Sequence, residues 1–185
     1  MRSVVLQVFD LSLDGIIGEE GTGFYDFCRA LPDDPGHEAW LVGSLQRAEL
    51  HIMGRVTYEG MAAYFPTAYG GIADAMNGTP RAVFSRTLDA TDWAGSSIIR
   101  DDLEAGLDKL RRDGDGEILA HGGVGFARSL AALDLVDEYR LTVYPCAVGA
   151  GPSLFGGLAI PRPLDFESSV TLGNGVVALT YRRSR

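Results

Sequence analysis

The sequence predicts an α/β protein with a mixed, mainly parallel central sheet, flanking helices and antiparallel strands at its C-terminal end. Over the first two thirds of the chain, short apolar runs alternate with segments whose apolar residues recur at helical spacing. In the last third, two strand-like runs at 164–172 and 176–182 flank Gly173-Asn-Gly175, and Asn-Gly in that setting signals a hairpin. The length of 185 residues suits one domain, residues 1–185.

The first half of the chain is divided by its glycines and prolines. A β-rich start is followed by a loop with glycines at 15 and 18, and prolines at 32 and 35 close a short helix. Trp40, Leu41 and Leu45 then recur at helical spacing. The predicted elements are a strand at 4–9, helices at 24–31 and 37–48, a strand at 50–53 and a helix at 56–63.

The second half begins with a glycine-rich segment, residues 69–80, which is predicted to be a loop with one helical turn. A helix running to Arg112 would be capped by Asp101 or Asp102. A strict apolar and polar alternation marks the strand near Tyr139. The predicted elements after the loop are strands at 81–85 and 97–100, the capped helix, a strand at 118–120, a helix from 126 and a strand at 138–146.

Composition narrows the function classes. The formal net charge of −9 argues against a nucleic-acid or anionic-membrane surface, and a phosphorylated ligand would need local arginines. The apolar run Val4-Val-Leu is too short for a signal peptide or a membrane span, so a cytoplasmic protein is expected. Cys28 and Cys146 form no motif and are expected to be small apolar residues. No metal site is predicted.

The most informative segment is a glycine-rich turn between a strand and a helix. Gly122, Gly123 and Gly125 directly follow the apolar run 118–120. Glycine lets the backbone approach a ligand, and the free N–H groups of a helix start favour an anion. The turn is therefore either a phosphate cradle or a tight connection without a ligand.

Two further strand ends carry basic and small polar residues. Gly54, Arg55 and Thr57 follow one strand, and Ser85 and Arg86 follow another. Taken singly, each of these residues has an ordinary explanation without a ligand: a surface arginine, a helix-capping threonine or a polar loop. Open α/β sheets, however, bind ligands beyond the carboxyl ends of their strands. Three such turns together favour one extended, multiply phosphorylated ligand such as a dinucleotide.

Five motifs carry a family resemblance that covers nearly the whole chain. Residues 52–61, Ile-Met-Gly-Arg-Val-Thr-Tyr-Glu-Gly-Met, are similar to a motif of the dihydrofolate reductase fold, and 121–126 resembles its glycine-rich turn. Segments 12–15, 135–141 and 149–155 resemble a narrower group. That group holds the reductase (C-terminal) domain of the bifunctional riboflavin-biosynthesis deaminase-reductase and its stand-alone relatives.

The resemblance implies a dihydrofolate reductase-like fold, a homodimer, a small-molecule substrate and NADPH as cofactor. Arg55 and Arg86 favour NADP over NAD because only NADP carries the extra phosphate. Backbone near Val8, Ile16 and Ile17 would line the nicotinamide. The resemblance assigns the remaining contacts as follows: adenosine-side phosphates to Gly54, Arg55 and Thr57, the 2′-phosphate to Ser85 and Arg86, and the pyrophosphate to Gly122, Gly123, Val124, Gly125 and Phe126.

The proton donor has two candidates. Hydride transfer to a C=N or C=O bond is helped by protonating the acceptor. Glu38 stands where dihydrofolate reductases carry an acid, with Trp40 and apolar neighbours close by; alternatively it lies in a solvated first helical turn. The Pro-Trp that precedes this helix in dihydrofolate reductases is absent here. Asp14 is the second candidate, with a turn aspartate as its alternative reading.

The resemblance implies hydride transfer to a small heterocyclic or carbonyl substrate, possible examples being ribosylamino-pyrimidinediones such as 5-amino-6-(5-phosphoribosylamino)uracil. Reduction of dihydrofolate or a pterin, and nucleotide binding without catalysis, are the alternatives. His121 could touch the cofactor or pack at a strand end. Two further sets of residues have two readings each. The aromatic residues would line a substrate pocket or belong to the core (Tyr58, Tyr64, Phe65, Tyr69). One face of a late strand would form a dimer surface or be buried under the chain's own helices (Tyr139, Leu141, Val143).

Overall fold

A computed structural model describes residues 1–184 and contains one eight-stranded sheet in the order β4-β3-β2-β5-β1-β6-β8-β7. Strands β1 to β6 are parallel, and β7 and β8 are antiparallel additions at one edge. The strands are β1 (Ser3–Ser12), β2 (Ala48–Gly54), β3 (Arg81–Phe84), β4 (Ser96–Ile99), β5 (Glu117–His121), β6 (Glu138–Tyr144), β7 (Leu164–Thr171) and β8 (Val177–Arg183).

Six α-helices flank the sheet within the described residues. The helices are α1 (Gly23–Ala30), α2 (Pro35–Gln46), α3 (Arg55–Tyr64), α4 (Gly71–Gly78), α5 (Leu103–Arg112) and α6 (Val124–Ala132). A single 3-10 turn at Phe65–Thr67 follows α3. The Asp102 carboxylate caps α5 by accepting from the Ala105 N–H at 2.8 Å, which selects Asp102 over Asp101.

The α/β architecture and the terminal hairpin are confirmed, and one element differs from expectation. Residues 71–78 form a full helix rather than a loop with one turn. Ala73 and Met76 are buried on its inner face, so packing against the rest of the protein stabilises a segment whose glycines disfavour a helix.

Strand β1 is irregular where it approaches its carboxyl end. Its register with β6 runs from Val8 opposite Leu141 to Leu11 opposite Val143, so three steps on β1 face two on β6. The resulting β-bulge contains Phe9 and Asp10. Bulges bend a strand and re-aim side chains, often beside functional sites.

The late strand face proposed as a dimer surface is buried in the chain's own core. Tyr139 and Leu141 are 2% and 5% exposed and pack in the same apolar cluster as Leu130 and Val136. Val143 is partly buried against the same cluster, so within the chain this face packs in the chain's own core. The homodimer stays a prediction and no longer draws support from these residues.

Both cysteines are free thiols, Cys28 buried and Cys146 partly exposed. Across residues 1–184, no helix has the length and apolar character needed to cross a membrane.

Candidate active site

Two helix N-termini meet at one cleft beyond the carboxyl ends of β2 and β5. Helices α3 and α6 start at Gly54 and Gly123, and neither N-cap residue offers a side chain to the first turn. By contrast, Thr22, Asp34 and Asp102 cap three other helices with side-chain oxygens. The first N–H groups of α3 and α6 thus have no capping side chain, like those of α4, and could bind water or an anion.

The cleft has a volume of about 550 Å³. Most of the predicted phosphate-binding residues line it. The lining comprises Gly18, Glu19, Glu20, Gly54, Arg55, Val56, Thr57, Gly123, Val124, Gly125 and Phe126.

The two N-cap glycines let the helix starts approach each other. A Cβ atom at Gly123 would fall under 3.0 Å from the Oγ1 atom of Thr57, a separation that real structures do not show. A Cβ at Gly54 would contact the Cβ of Phe126 at 3.5 Å. A side chain at position 123 would therefore require Thr57 to move, whereas Gly54 faces an ordinary contact.

Arg55 lies in the cleft, and its guanidinium donates to both oxygens of Glu59 at 2.8 and 2.9 Å. The side chain is 43% exposed, so this pair competes weakly with an incoming phosphate. Ser85 and Arg86 lie outside the lining. The Ser85 hydroxyl accepts from the backbone of Thr87 and Leu88 at 3.2 and 2.9 Å, and Arg86 is exposed.

The end of β3 nevertheless comes close to the cleft. The Phe84 ring packs on Phe126 with 5.7 Å between centroids. Arg86 stands two residues beyond Phe84, and its contact with a 2′-phosphate stays a prediction.

The residues expected near a nicotinamide are mostly buried. Val8, Ile16 and Ile17 are 1%, 8% and 4% exposed. Isolated bridges pair Ile17 with Leu11 and Ile16 with Ser153. Gly122 is absent from the lining, and its N–H donates to the Gln7 carbonyl at 3.3 Å. Val8, Ile16 and Ile17 line neither the cleft nor the aromatic cavity described below, so their place at the nicotinamide stays a prediction.

A second cavity of about 620 Å³ lies between the sheet and helices α1 to α4. Tyr64, Phe65 and Tyr69 line it, as one reading of the sequence proposed. Tyr58 does not. It is buried with its hydroxyl accepting from the Asp92 and Trp93 N–H groups, so it belongs to the core.

The two cavities adjoin at the ends of β1 and β5. Asp10 lines the aromatic cavity and Gly18 lines the cleft, and the Gly18 N–H donates to the Asp10 carbonyl at 2.8 Å. His121 lines the aromatic cavity and stands two residues before Gly123 of the cleft. The backbone segments that join these residues form a wall between the two cavities.

Asp10 is the functional candidate that sequence reasoning missed. It is 8% exposed, and its Oδ1 atom contacts the guanidinium of Arg29 on α1. Burial raises the pKa of Asp10 above its usual value, against the lowering effect of the Arg29 guanidinium and of a hydrogen bond with Tyr144. The sequence signal that could have identified Asp10 is a charged residue within the mostly apolar strand β1.

The two predicted acids occupy different settings. Glu38 is exposed in the first turn of α2 and lines the rim of the aromatic cavity. Asp14 lines neither cavity and accepts from the Ser12 hydroxyl at 2.6 Å and the Val148 and Gly149 N–H groups at 3.1 and 2.6 Å. These bonds, that of Ser12 foremost, lower the pKa of Asp14 to about 2. Asp14 therefore lies away from both cavities and clamps a turn, which favours its alternative reading as a turn aspartate.

His121 is fully buried and contacts a second histidine. The His51 Nδ1 and His121 Nε2 atoms share a short hydrogen bond, and the rings stack at 4.7 Å. Burial, then the Arg81 charge, lowers the pKa of His51 to about 4, while burial and His51 hold that of His121 well below its usual value. Both rings are neutral at physiological pH.

The defining sequence pattern of the RibD C-terminal domain matches residues 3–178. The chain belongs to the RibD C-terminal domain family. The resemblance inferred from the motifs is thereby confirmed at the level of the family.

Similar proteins agree with this membership. Protein YyaP of Bacillus subtilis (strain 168), itself uncharacterized, is 26% identical over 185 residues, which are 97% of this chain and 94% of YyaP. The structure of a Shewanella sp. PV-4 protein, provisionally assigned to riboflavin biosynthesis, superposes with a TM-score of 0.79 at 23% identity over 100% of both chains. Dihydrofolate reductase from Enterococcus faecalis, complexed with NADP(H) and RAB-propyl, gives 0.65 at 15% identity over 99% of this chain and 97% of that one. This RibD C-terminal domain therefore has the dihydrofolate reductase-like fold.

Proposed function

We propose that this protein is an NADPH-dependent reductase that transfers hydride to a small heterocyclic or carbonyl substrate, of the kind reduced in riboflavin biosynthesis. The single observation that carries the proposal is the junction of two cavities. A cleft with two uncapped helix N-termini meets an aromatic cavity at the carboxyl ends of β1 and β5.

The cleft fits a dinucleotide. The N–H groups at the starts of α3 and α6 would hold the pyrophosphate, and Gly123 allows the two helices to lie close enough to share it. Arg55 would hold an adenosine-side phosphate, and Arg86 the 2′-phosphate. These local cations and dipoles are needed because the chain as a whole carries −9.

The aromatic cavity fits a flat acceptor. NADPH, when bound, supplies the hydride. Phe9, Tyr64, Phe65 and Tyr69 line it and would pack against a heterocycle, with Tyr64 and Tyr69 on its exposed side. A ribosylamino-pyrimidinedione such as 5-amino-6-(5-phosphoribosylamino)uracil is the first substrate to test, given the family.

Reduction of dihydrofolate or a pterin is the second candidate. Glu38 of α2 lines the same cavity, as an acid for that reaction should. Its exposure at the rim makes this the weaker candidate. The aromatic cavity beside the cleft also distinguishes the protein from a nucleotide-binding module that lacks a substrate site.

Turnover with matched acceptors tests the proposal. NADPH oxidation would be followed with the phosphorylated pyrimidinedione, its dephosphorylated form and dihydrofolate, and the product identified by mass spectrometry. We expect reduction of a pyrimidinedione with NADPH and little with NADH. Reduction of dihydrofolate alone would select the second candidate, and no reduction of any of the three would contradict the proposed substrate class.

A further inference from the structure

We infer that Asp10 is the catalytic acid of this protein: its carboxyl protonates the acceptor atom of the substrate as hydride reaches the neighbouring carbon. The inference rests on the proposed function and assigns a role that the sequence had given to Glu38 or Asp14.

The fold aims Asp10 at the place where the reaction would occur. The β-bulge of β1 contains Phe9 and Asp10, and both residues line the aromatic cavity. The Asp10 carbonyl holds Gly18 of the cleft at 2.8 Å. Asp10 thus touches both the substrate cavity and the wall of the cofactor cleft.

Asp10 is more deeply buried than Glu38, the other carboxyl that lines the cavity. Asp10 is 8% exposed, whereas Glu38 is exposed in the first turn of α2. Burial favours the neutral form of a carboxyl and, against the Arg29 charge, raises the pKa of Asp10. Glu38, at the rim, has no comparable burial.

The groups that face Asp10 come from three elements. Arg29 and Cys28 lie on α1, His37 on α2 and Tyr144 on β6. The Arg29 guanidinium contacts Oδ1, and Tyr144 forms a second hydrogen bond. Burial leaves His37 with a lowered pKa and Cys28 with a pKa of about 12, so Arg29 is the one full charge from these partners at neutral pH.

The step balances in protons and electrons. The hydride that NADPH would supply when bound carries two electrons to the carbon of a C=N or C=O bond. The carboxyl proton of Asp10 forms the new N–H or O–H bond at the adjacent atom. Asp10 is left as a carboxylate paired with Arg29, and solvent returns its proton before the next turnover. Arg29 is a positioning residue that stabilises this carboxylate.

Titration of the carboxyl carbon tests the inference without requiring turnover. Protein enriched with carboxyl-labelled aspartate would be followed by NMR, and the signal absent from Asp10→Asn assigned to Asp10. We expect it to titrate above about 3.9, the ordinary aspartate value, and to move further upward in Arg29→Met. Asp26→Asn, an exposed change on α1, is the control and should leave it in place. A signal at or below the ordinary value overturns the inference.

Hydride transfer gives the second readout. With a pyrimidinedione or dihydrofolate as acceptor, single-turnover transfer should slow as pH rises through the pKa of Asp10. Asp10→Asn should lower the rate by about 10²-fold, flatten the pH profile and leave NADPH affinity unchanged. If Glu38→Gln rather than Asp10→Asn abolishes the pH dependence, the inference about Asp10 is overturned, whereas the proposed reductase function is not. Failure of the wild-type protein to bind NADPH would instead remove the proposed function.

Discussion

Gly123 is the residue whose lack of a side chain matters most to the cleft. A Cβ there would fall under 3.0 Å from Thr57 Oγ1, so Gly123→Ala must push α3 and α6 apart or rotate Thr57. We expect NADPH affinity to fall by roughly tenfold, about 1.4 kcal/mol. Isothermal calorimetry with NADPH measures this change.

Removing the obstructing oxygen provides the control. The Cβ of Thr57 would be 3.7 Å from an alanine Cβ at 123, an ordinary contact. The double variant Gly123→Ala/Thr57→Ala should therefore bind NADPH more tightly than Gly123→Ala alone. An unchanged affinity in Gly123→Ala would show that the close approach of the two helix starts is irrelevant to the cofactor.

Asp14 should make stability fall in acid. Its pKa is lowered to about 2 in the folded protein, so its contribution is complete above the ordinary value of about 3.9 and is lost as pH falls through the folded pKa. Urea unfolding of wild type and Asp14→Asn between these two values checks this. The stability of the variant should depend less steeply on pH, with NADPH affinity unchanged; parallel curves would contradict the turn-clamp role.

The two buried histidines should make the stability of the protein depend on pH in a less acidic range than Asp14 does. Their folded pKa values lie below the unfolded value of 6.5, that of His51 at about 4, so the unfolded chain takes up protons first. Their stabilisation is complete above pH 6.5 and declines toward pH 4, by up to about 1.4 kcal/mol per pH unit for each ring. Unfolding measured at steps through this range should show the decline, and His51→Gln/His121→Gln should reduce its slope. A pH-independent stability would contradict burial of the neutral pair.

At the scale of residues, sequence could predict small polar motifs better than acids. Gly54, Arg55 and Gly123 were identified because strand-turn-glycine order forces them to one sheet edge. Asp10 was missed because its importance depends on a β-bulge and on burial beneath α1. Neither can be deduced from local spacing.

At the scale of elements, two helices contain glycines that packing does not require. A Cβ at Gly43 of α2 or Gly60 of α3 would have no neighbour within 4 Å. Alanine at each position should stabilise the protein by about 0.5–1 kcal/mol, since glycine loses more backbone entropy in a helix. Thermal and urea unfolding check this, with Gly106→Ala as the contrast.

Gly106 lies on α5 against Phe84 and Ile99. An added Cβ would fall 2.7 and 2.8 Å from their side chains, so the same substitution should destabilise the protein there. Destabilisation by Gly43→Ala or Gly60→Ala would show that those positions are more crowded than the structure describes.

Most helices and strands were predictable because apolar residues recur along each at a characteristic spacing. The hairpin was predictable because its turn depends on the adjacent residues Asn-Gly. Helix α4 was not. Its eight residues include two glycines, and its inner residues Ala73 and Met76 become ordered only by packing against other parts of the fold.

At the scale of the whole molecule, the strand order β4-β3-β2-β5-β1-β6-β8-β7 brings residues 54, 123 and 10 to one edge. Alternation of strands and helices predicted a parallel sheet but not this order, because β5 inserts between β1 and β2 over a separation of many residues. The aromatic cavity, formed by four helices and the sheet, is likewise a property of the assembled fold.

The central claim is that the cleft between α3 and α6 binds NADPH. Calorimetric titration of the wild-type protein with NADPH and NADH, repeated on Arg55→Ala and Arg86→Ala, tests it most directly. The account predicts that NADPH binds at least roughly tenfold more tightly than NADH and that removing either arginine narrows this difference. Failure of both nucleotides to bind at millimolar concentration would contradict the account and leave the glycine turns as tight connections only.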